Sequence, residues 1–330
     1  MIHTENKAKR IDKKETFAFL KKHQKFLLIG HIHPDGDDVG SMCALHNVLI
    51  SMGKEADMVL DDPIPERFQF IETSKRILHA VPEEQSYDAV IFTDLANFER
   101  AGNLAIPLDI PSLCIDHHIS NEGYTDYLYL RADYAATAEL LAEIFFDENI
   151  LLDKDTCNAL YLALGTDSGF FKFSCTTSHT LLMASRLVEC GADPAYISNH
   201  LDITTENGMK TYKRVLDTLH FAVAGKIGIA YMDKESMALD GINSDFYVSI
   251  PRKVEGVEVA LLLKYQEENV TRISLRSREY VNVSQVAQHF VSQVAQHFGG
   301  GGHIRASGCT INLSIKEAES ELLKEVVKYL

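Results

Sequence analysis

Apolar residues in the first half of the chain come in short unbroken runs, separated by longer stretches of helical period. KFLLIGH (Lys25–His31), ADMVLDD (56–62), YDAVIFTD (87–94) and PSLCIDHH (111–118) have strand length and are bounded by turn residues. Unbroken apolarity over so few residues fits a strand covered on both faces. DVGSMCALHNVLISMG, AATAELLAEIFFDENI and KDTCNALYLALGTD instead read as helices. Strands alternating with helices predict an α/β fold, with a doubly wound, mostly parallel sheet.

The texture changes after LVECGADPAYISNHLDITTEN (187–207). A first domain is expected over 1–190, a linker over 191–206 and a second domain over 207–330. In the second, LHFAVAGKIGIAYMD and VEVALLLKYQEENVTRISLRSR read as two hairpins, and IKEAESELLKEVVKYL as a closing helix. Between them VSQVAQHF is written twice without a substitution, over 283–290 and 291–298, and runs into GGGGH. This predicts a smaller α+β domain lying across a cleft from the first.

Three of the early apolar runs stop at ionisable residues: LLIG at His31, VIFT at Asp94, and LCI at Asp116, His117 and His118. In a parallel sheet the carboxyl ends of the strands share one edge, where ligand sites form. The HIHPDGDD loop adds Asp35 and Asp37, and the helix ALYLALGTD carries Asp167 to its C-terminal end, where the helix dipole favours a cation. His31, Asp35, Asp37, Asp94, His117 and Asp167 make a donor set of carboxylates and imidazoles with no thiolate. Such a set suits Mn²⁺, Mg²⁺ or Co²⁺ better than structural zinc. Six donors exceed what one ion that also keeps waters can use, so two ions sharing a carboxylate are expected, an arrangement suited to phosphoryl displacement. Taken singly, PDGD reads as a turn and DHH as a strand end; the ordered combination carries the inference.

Composition narrows the chemistry. The formal charge of −15 over 330 residues disfavours long-duplex nucleic acid, whose binders are usually basic. Small substrates or very short oligonucleotides fit better. The six cysteines (Cys43, Cys114, Cys157, Cys175, Cys190 and Cys309) contain no CxxC pair, which fits a reducing cytoplasm. MIHTENKAKRIDKKE has no apolar core for a signal peptide, and no run is long enough to span a membrane, so a cytoplasmic protein without a membrane partner is expected. A homodimer stays open.

GHIHPDGDDVGS, FTDLA, DHHISN and GTDSGFF resemble the four motifs of the DHH phosphoesterase superfamily. SLRSREYVNVSQVAQHF and GGGGHIRASG resemble its DHH-associated C-terminal domain, and the likeness covers nearly the whole chain. Within the superfamily the chain is similar to the bacterial oligoribonuclease (nanoRNase) branch, whose members also act as pAp phosphatases. The resemblance implies that His31, Asp35 and Asp94 bind one metal and that Asp37, Asp94, His117 and Asp167 bind the other, with Mn²⁺ preferred. It further implies that His118 faces the substrate phosphate and Asp116 orients the histidine pair. Ser307 departs from the alanine common at that position in the family. In the second domain, consecutive glycines let backbone amides approach an anion. Arg276, Ser277, Gly300, Gly301, Gly302 and His303 are therefore the expected substrate-binding set. Two points of grip a fixed distance apart select substrates of about two to five nucleotides. The substrates implied are short RNA, including pGpG- and pApA-type dinucleotides, cut to 5′-mononucleotides, and pAp cut to AMP.

Two competitors remain at this point. Inorganic pyrophosphatase or polyphosphatase chemistry would use the same metal core, but those relatives carry a different second domain without GGGGH. A nucleotide-binding protein weakened or silenced by the duplication is the other. Eight added helical residues shift a helix end by about 12 Å. The second copy, joined directly to the glycines, is therefore expected to take the packed position, with activity reduced but retained.

Overall fold

The computed structural model describes residues 8–121, 123–240, 244–277, 301–303 and 306–330. The duplicated segment, Gly300, Arg278 and Arg305 lie outside the described residues. The chain divides into two compact units, Met1–Ile203 and Thr204–Leu330. Among the described residues no helix is long and apolar enough to cross a membrane.

The first unit is built on a six-stranded sheet of β1 (Lys9–Arg10), β2 (Lys25–Ile29), β3 (Glu55–Val59), β4 (Ala89–Thr93), β5 (Ser112–Asp116) and β6 (Tyr127–Leu130). Its order is β1-β6-β5-β4-β2-β3, and every pairing is parallel. Within β2, Phe26 and Leu28 join one apolar cluster while Leu27 and Ile29 join another on the opposite face. The two-residue period of the strand thus explains the unbroken apolar runs, because both faces are buried. One face packs against α1 (Lys13–Lys22), α2 (Gly36–Ser51), α3 (Thr137–Asp147), α4 (Lys154–Asp167), α5 (Ser178–Glu189) and α6 (Pro194–Asp202). The other is closed by Val81, Phe98, Leu104, Ile106, Ile110 and Tyr124 from the connecting segments.

Most of the stretch expected to be a linker is helix α6. Asp193 caps it, accepting from the Tyr196 amide at 3.0 Å, and Pro194 occupies the first helical position, where a missing N–H costs nothing.

The second unit holds β7 (His220–Ala222), β8 (Ile227–Met232), β9 (Val259–Glu267), β10 (Val270–Ser277), β11 (Gly301–His303) and β12 (Ala306–Ile311), in the order β11-β12-β10-β9-β8-β7. The two expected hairpins, β7–β8 and β9–β10, are antiparallel, and β8–β9 is the one parallel pairing among the described residues of this unit. Helix α8 (Ile315–Val326) covers one face through Ala318, Leu322 and Val326. Val215 of α7 (Glu206–Asp217), with Tyr247, Val248 and Ile250, covers Ala230, Met232 and Leu262 on the other.

Candidate metal centre

The site forms where the first sheet presents its carboxyl ends. His31 follows β2, Asp94 follows β4, and Asp116 closes β5 with His117 and His118 behind it. Parallel pairing of β2 with β4 and of β4 with β5 aligns these ends. Asp35 caps α2, its Oδ1 accepting the amides of Asp37 at 3.0 Å and Asp38 at 3.1 Å. Asp167 is the last residue of α4. The two helices can lie close together because glycines face the contact. A Cβ on Gly36 would stand 2.3 Å from Thr166 Oγ1, and one on Gly40 would stand 2.4 Å from the Ala159 carbonyl oxygen.

The residues named from sequence converge. His31 Nε2 stands 3.8 Å from Asp35 Oδ2 and 3.5 Å from Asp94 Oδ2. His117 Nε2 stands 3.4 Å from Asp94 Oδ1, 3.4 Å from Asp167 Oδ2 and 3.7 Å from Asp37 Oδ2. The donor atoms of His31, Asp35 and Asp94 lie within 4.8 Å of one another, as do those of Asp37, His117 and Asp167, a spacing that ligands of an ion would have. Asp94 turns Oδ2 toward His31 of the first group and Oδ1 toward His117 of the second.

These spacings fit cations better than direct hydrogen bonds. N–H···O bonds run about 2.7–3.2 Å, whereas donor atoms about 2.1 Å from one ion stand roughly 3–3.5 Å apart. His31 Nε2 is buried and has no hydrogen-bond partner among the described residues. Its Nδ1 lies 2.8 Å from the Ile32 carbonyl, and His117 Nδ1 lies 3.3 Å from that of Tyr134. The carbonyl beside His117 Nδ1 favours the tautomer that turns its Nε2 lone pair toward a metal. His31 Nδ1 lies against both the Ile32 carbonyl and the Arg100 guanidinium, which favour opposite tautomers.

The electrostatics agree. Burial pushes Asp37 well above the usual carboxylate range, and the charges of Asp94 and Asp167 push it further. Burial likewise brings Asp167 to about 6 and Asp38 to about 7. Burial would raise Asp94 too, but His118, His117 and His31 hold it well below the usual range. Burial disfavours charge on His31 and His117, yet the surrounding carboxylates lift both rings well above the ordinary imidazole value. A buried cluster with this surplus of carboxylates calls for positive charge.

A third group, Asp94 with His117 and His118, also lies within ligand spacing. There His118 Nδ1 is already engaged by Asp116 Oδ1 at 2.7 Å. The same oxygen accepts the amides of His117 at 2.7 Å and His118 at 3.2 Å, and Asn121 Nδ2 donates to Asp116 Oδ2 at 2.7 Å. Asp116 is thus tied to the histidine pair and stands outside the ion-facing groups.

Several residues at the centre carry no sequence signal of their own. Ser41 Oγ donates to Asp37 Oδ1 at 2.8 Å, Thr137 Oγ1 donates to Asp94 Oδ1 at 3.0 Å, and Arg100 Nη2 lies 2.8 Å from His31 Nδ1. Asp38 Oδ2 accepts the His31 amide at 3.3 Å. Asp38 and Ser41 lie inside the GHIHPDGDDVGS motif, but nothing in the sequence gives them these partners.

In the second unit, Gly301–His303 is a paired strand, β11, where the sequence suggested a loop. Glycine tolerates the extended backbone as readily as a turn, and pairing with β12 satisfies part of its backbone. Arg276 on β10 and His303 on β11 both register with Ala306, which brings them to one level of the sheet. Ser277, buried, ends β10.

The class follows from the sheet, the carboxylate–imidazole edge and the second α+β unit taken together. Residues 25–164 match the DHH family, N-terminal domain, and residues 226–330 match the DHHA1 domain. The chain thus joins a DHH domain to a DHHA1 domain. It is 27% identical over 305 residues to the bifunctional oligoribonuclease and PAP phosphatase NrnA of Thermus thermophilus, covering 90% of this chain and 87% of that one. The Bacillus subtilis protein of the same name is 24% identical over 310 residues, covering 91% and 93%. Among solved structures, an exopolyphosphatase-related protein of Bacteroides fragilis matches with a TM-score of 0.86 at 21% identity, with 96% of each chain covered. That last likeness is one of fold alone.

Proposed function

We propose that this protein is a two-metal phosphoesterase that cuts short RNA oligonucleotides of about two to five nucleotides, pGpG- and pApA-type dinucleotides included, to 5′-mononucleotides, and pAp to AMP. The observation that carries the reading is Asp94, which turns Oδ2 toward His31 and Oδ1 toward His117. His31, Asp35 and Asp94 would hold one ion, and Asp37, Asp94, His117 and Asp167 the other, with Mn²⁺ preferred and Mg²⁺ or Co²⁺ as substitutes. When bound, such ions supply the Lewis acidity that activates water and neutralises charge developing on a phosphoryl group.

The chain's own residues do the positioning. Asp116 holds His118 by Nδ1, so only Nε2 of that ring can address a phosphate oxygen. In the second unit Arg276, Ser277, the glycines 300 to 302 and His303 would grip the far end of the substrate. The names of the Thermus and Bacillus relatives support the substrate classes. A pyrophosphatase reading is disfavoured, because a DHHA1 domain with GGGGH suits a nucleotide end.

The test is Mn²⁺-dependent release of mononucleotide from pAp and from a linear dinucleotide, comparing this chain with one lacking Val283–Phe290. Release by the full chain, at the same or a lower rate than the shortened one, is the expected result. Cleavage of pyrophosphate but of neither nucleotide would overturn the substrate assignment. Cleavage by the shortened chain alone would keep the chemistry and show that the duplication disables it.

A further inference from the structure

Helix α3 begins without a cap of its own. Its N-cap is Ala136, with no side-chain acceptor for the leading amides, which every helix must satisfy somehow. The acceptor comes from a hundred residues upstream. Asp37 Oδ2 accepts the Thr137 amide at 2.6 Å, and Asp37 Oδ1 accepts the Ala138 amide at 3.0 Å. Glu139 turns back to accept the Ala135 amide at 2.8 Å. The Thr137 hydroxyl then reaches the other side of the centre and donates to Asp94 Oδ1 at 3.0 Å. Thr137, Asp37 and Asp94 are all buried, where a hydrogen bond is stronger than in water.

An ionised carboxylate oxygen accepts about two hydrogen bonds in its plane. Asp37 Oδ1 takes both Ser41 Oγ and the Ala138 amide, so it is saturated. Asp37 Oδ2 takes only the Thr137 amide and lies 3.7 Å from His117 Nε2. Asp94 Oδ1 takes the Thr137 hydroxyl and lies 3.4 Å from the same nitrogen. One residue therefore touches two of the three carboxylates that face His117, each on the oxygen that faces it.

We infer that Thr137 is a positioning residue of the metal centre. Its amide and its hydroxyl fix the orientation of Asp37 and Asp94 and leave one lone pair on each directed at the ion beside His117. The inference rests on the reading that these carboxylates hold divalent ions. Thr137 touches neither substrate nor ion and acts through the two aspartates. A purely structural threonine would matter for folding and leave ion affinity alone.

Two substitutions separate the roles. Thr137→Val keeps the shape and the amide but removes the hydroxyl; Thr137→Ser keeps both donors and removes a methyl group. Mn²⁺ affinity is measured by calorimetry without substrate, thermal stability in EDTA, and kcat and KM on pAp. Removing an outer partner of a metal ligand typically costs about 10- to 100-fold in affinity or activity. Thr137→Val is expected to lose Mn²⁺ affinity in that range and to lower kcat at saturating Mn²⁺, with KM for pAp changed by less than about twofold. Thr137→Ser is expected to bind Mn²⁺ like the unaltered chain, even where its stability falls. Unchanged Mn²⁺ affinity in Thr137→Val would overturn the inference. So would weakened affinity in Thr137→Ser, which also decides the matter should the valine variant not fold. An unaltered chain that takes up no divalent ion would instead bring down the functional reading on which the inference rests.

Discussion

Asp94 shows how much one residue must reconcile. Its backbone is left-handed, with φ of 57°, while its amide still donates to Ile115 of the neighbouring strand at 3.0 Å. Aspartate and asparagine tolerate this conformation better than other side chains. Asp94→Asn therefore keeps backbone and shape while removing the charge. It is expected to stay folded, to lose measurable Mn²⁺ uptake, and to fall by more than about 100-fold in pAp hydrolysis, beyond the usual cost of losing an outer partner. Circular dichroism together with calorimetry checks both halves. A folded Asp94→Asn that still binds Mn²⁺ would remove Asp94 from the shared position. The aspartates and histidines of the centre are legible in sequence because each stands at the end of an apolar run or in a compact motif. Thr137, Ser41 and Arg100 are not, since what they do depends on partners 43, 4 and 69 residues away that only the fold supplies.

At the scale of elements, the contact between α2 and α4 sets the geometry. Gly36 faces Thr166 and Gly40 faces Ala159 and Ala163, so the two helices run antiparallel at close range. The start of α2, bearing Asp35 and Asp37, is thereby brought to the end of α4, bearing Asp167. Gly40→Ala would press a methyl group against the Ala159 carbonyl, 2.4 Å from the ideal Cβ position. Overpacking of this kind costs about 1–3 kcal/mol. The variant is expected to lose stability in urea by that amount and, because the helices must part, Mn²⁺ affinity as well. Stability lost with Mn²⁺ affinity intact would mean that the helix contact does not set the ion site. The helices and the central strands were legible from period and run length. The short strands β1 and β6 gave no comparable pattern. The change of texture read as a linker over 191–206 instead hides α6, which Pro194 opens at its first position.

Over the whole molecule, the parallel sheet of the first unit and the α+β character of the second, with its two hairpins, followed from the order of apolar runs; the parallel β8–β9 pairing that joins the hairpins did not. Nor did the depth at which acid is buried, since a net charge of −15 says nothing of how far the carboxylates lie from solvent. Their burial has a thermodynamic consequence. Asp37 and Asp167, the latter pushed up to about 6, bind protons more tightly in the folded chain than in the unfolded one. Between the unfolded value near 4 and the folded one the native state holds more protons, so the metal-free fold loses stability as pH rises through that window. Divalent ions replace those protons, and an ion at about 100 times its Kd adds about 2.7 kcal/mol. The gain in Tm on replacing EDTA by Mn²⁺ is therefore expected to be larger at pH 7.5 than at pH 5, as differential scanning fluorimetry can read. A gain independent of pH would mean that these carboxylates do not exchange protons for the ion.

The sheet order carries a message about synthesis. Among the described residues the earliest strand in chain order, Lys9–Arg10, is paired only at the sheet's far edge, with Tyr127 and Leu128 of β6. It has no neighbour until more than a hundred further residues have been made, by which time Asp35, Asp37, Asp94 and His117 already exist. Docking of this strand therefore requires a chain that already holds His31, Asp35, Asp37, Asp94 and His117. Asp167 follows later in the chain, on the helix that packs against α2, α3, α5 and α6.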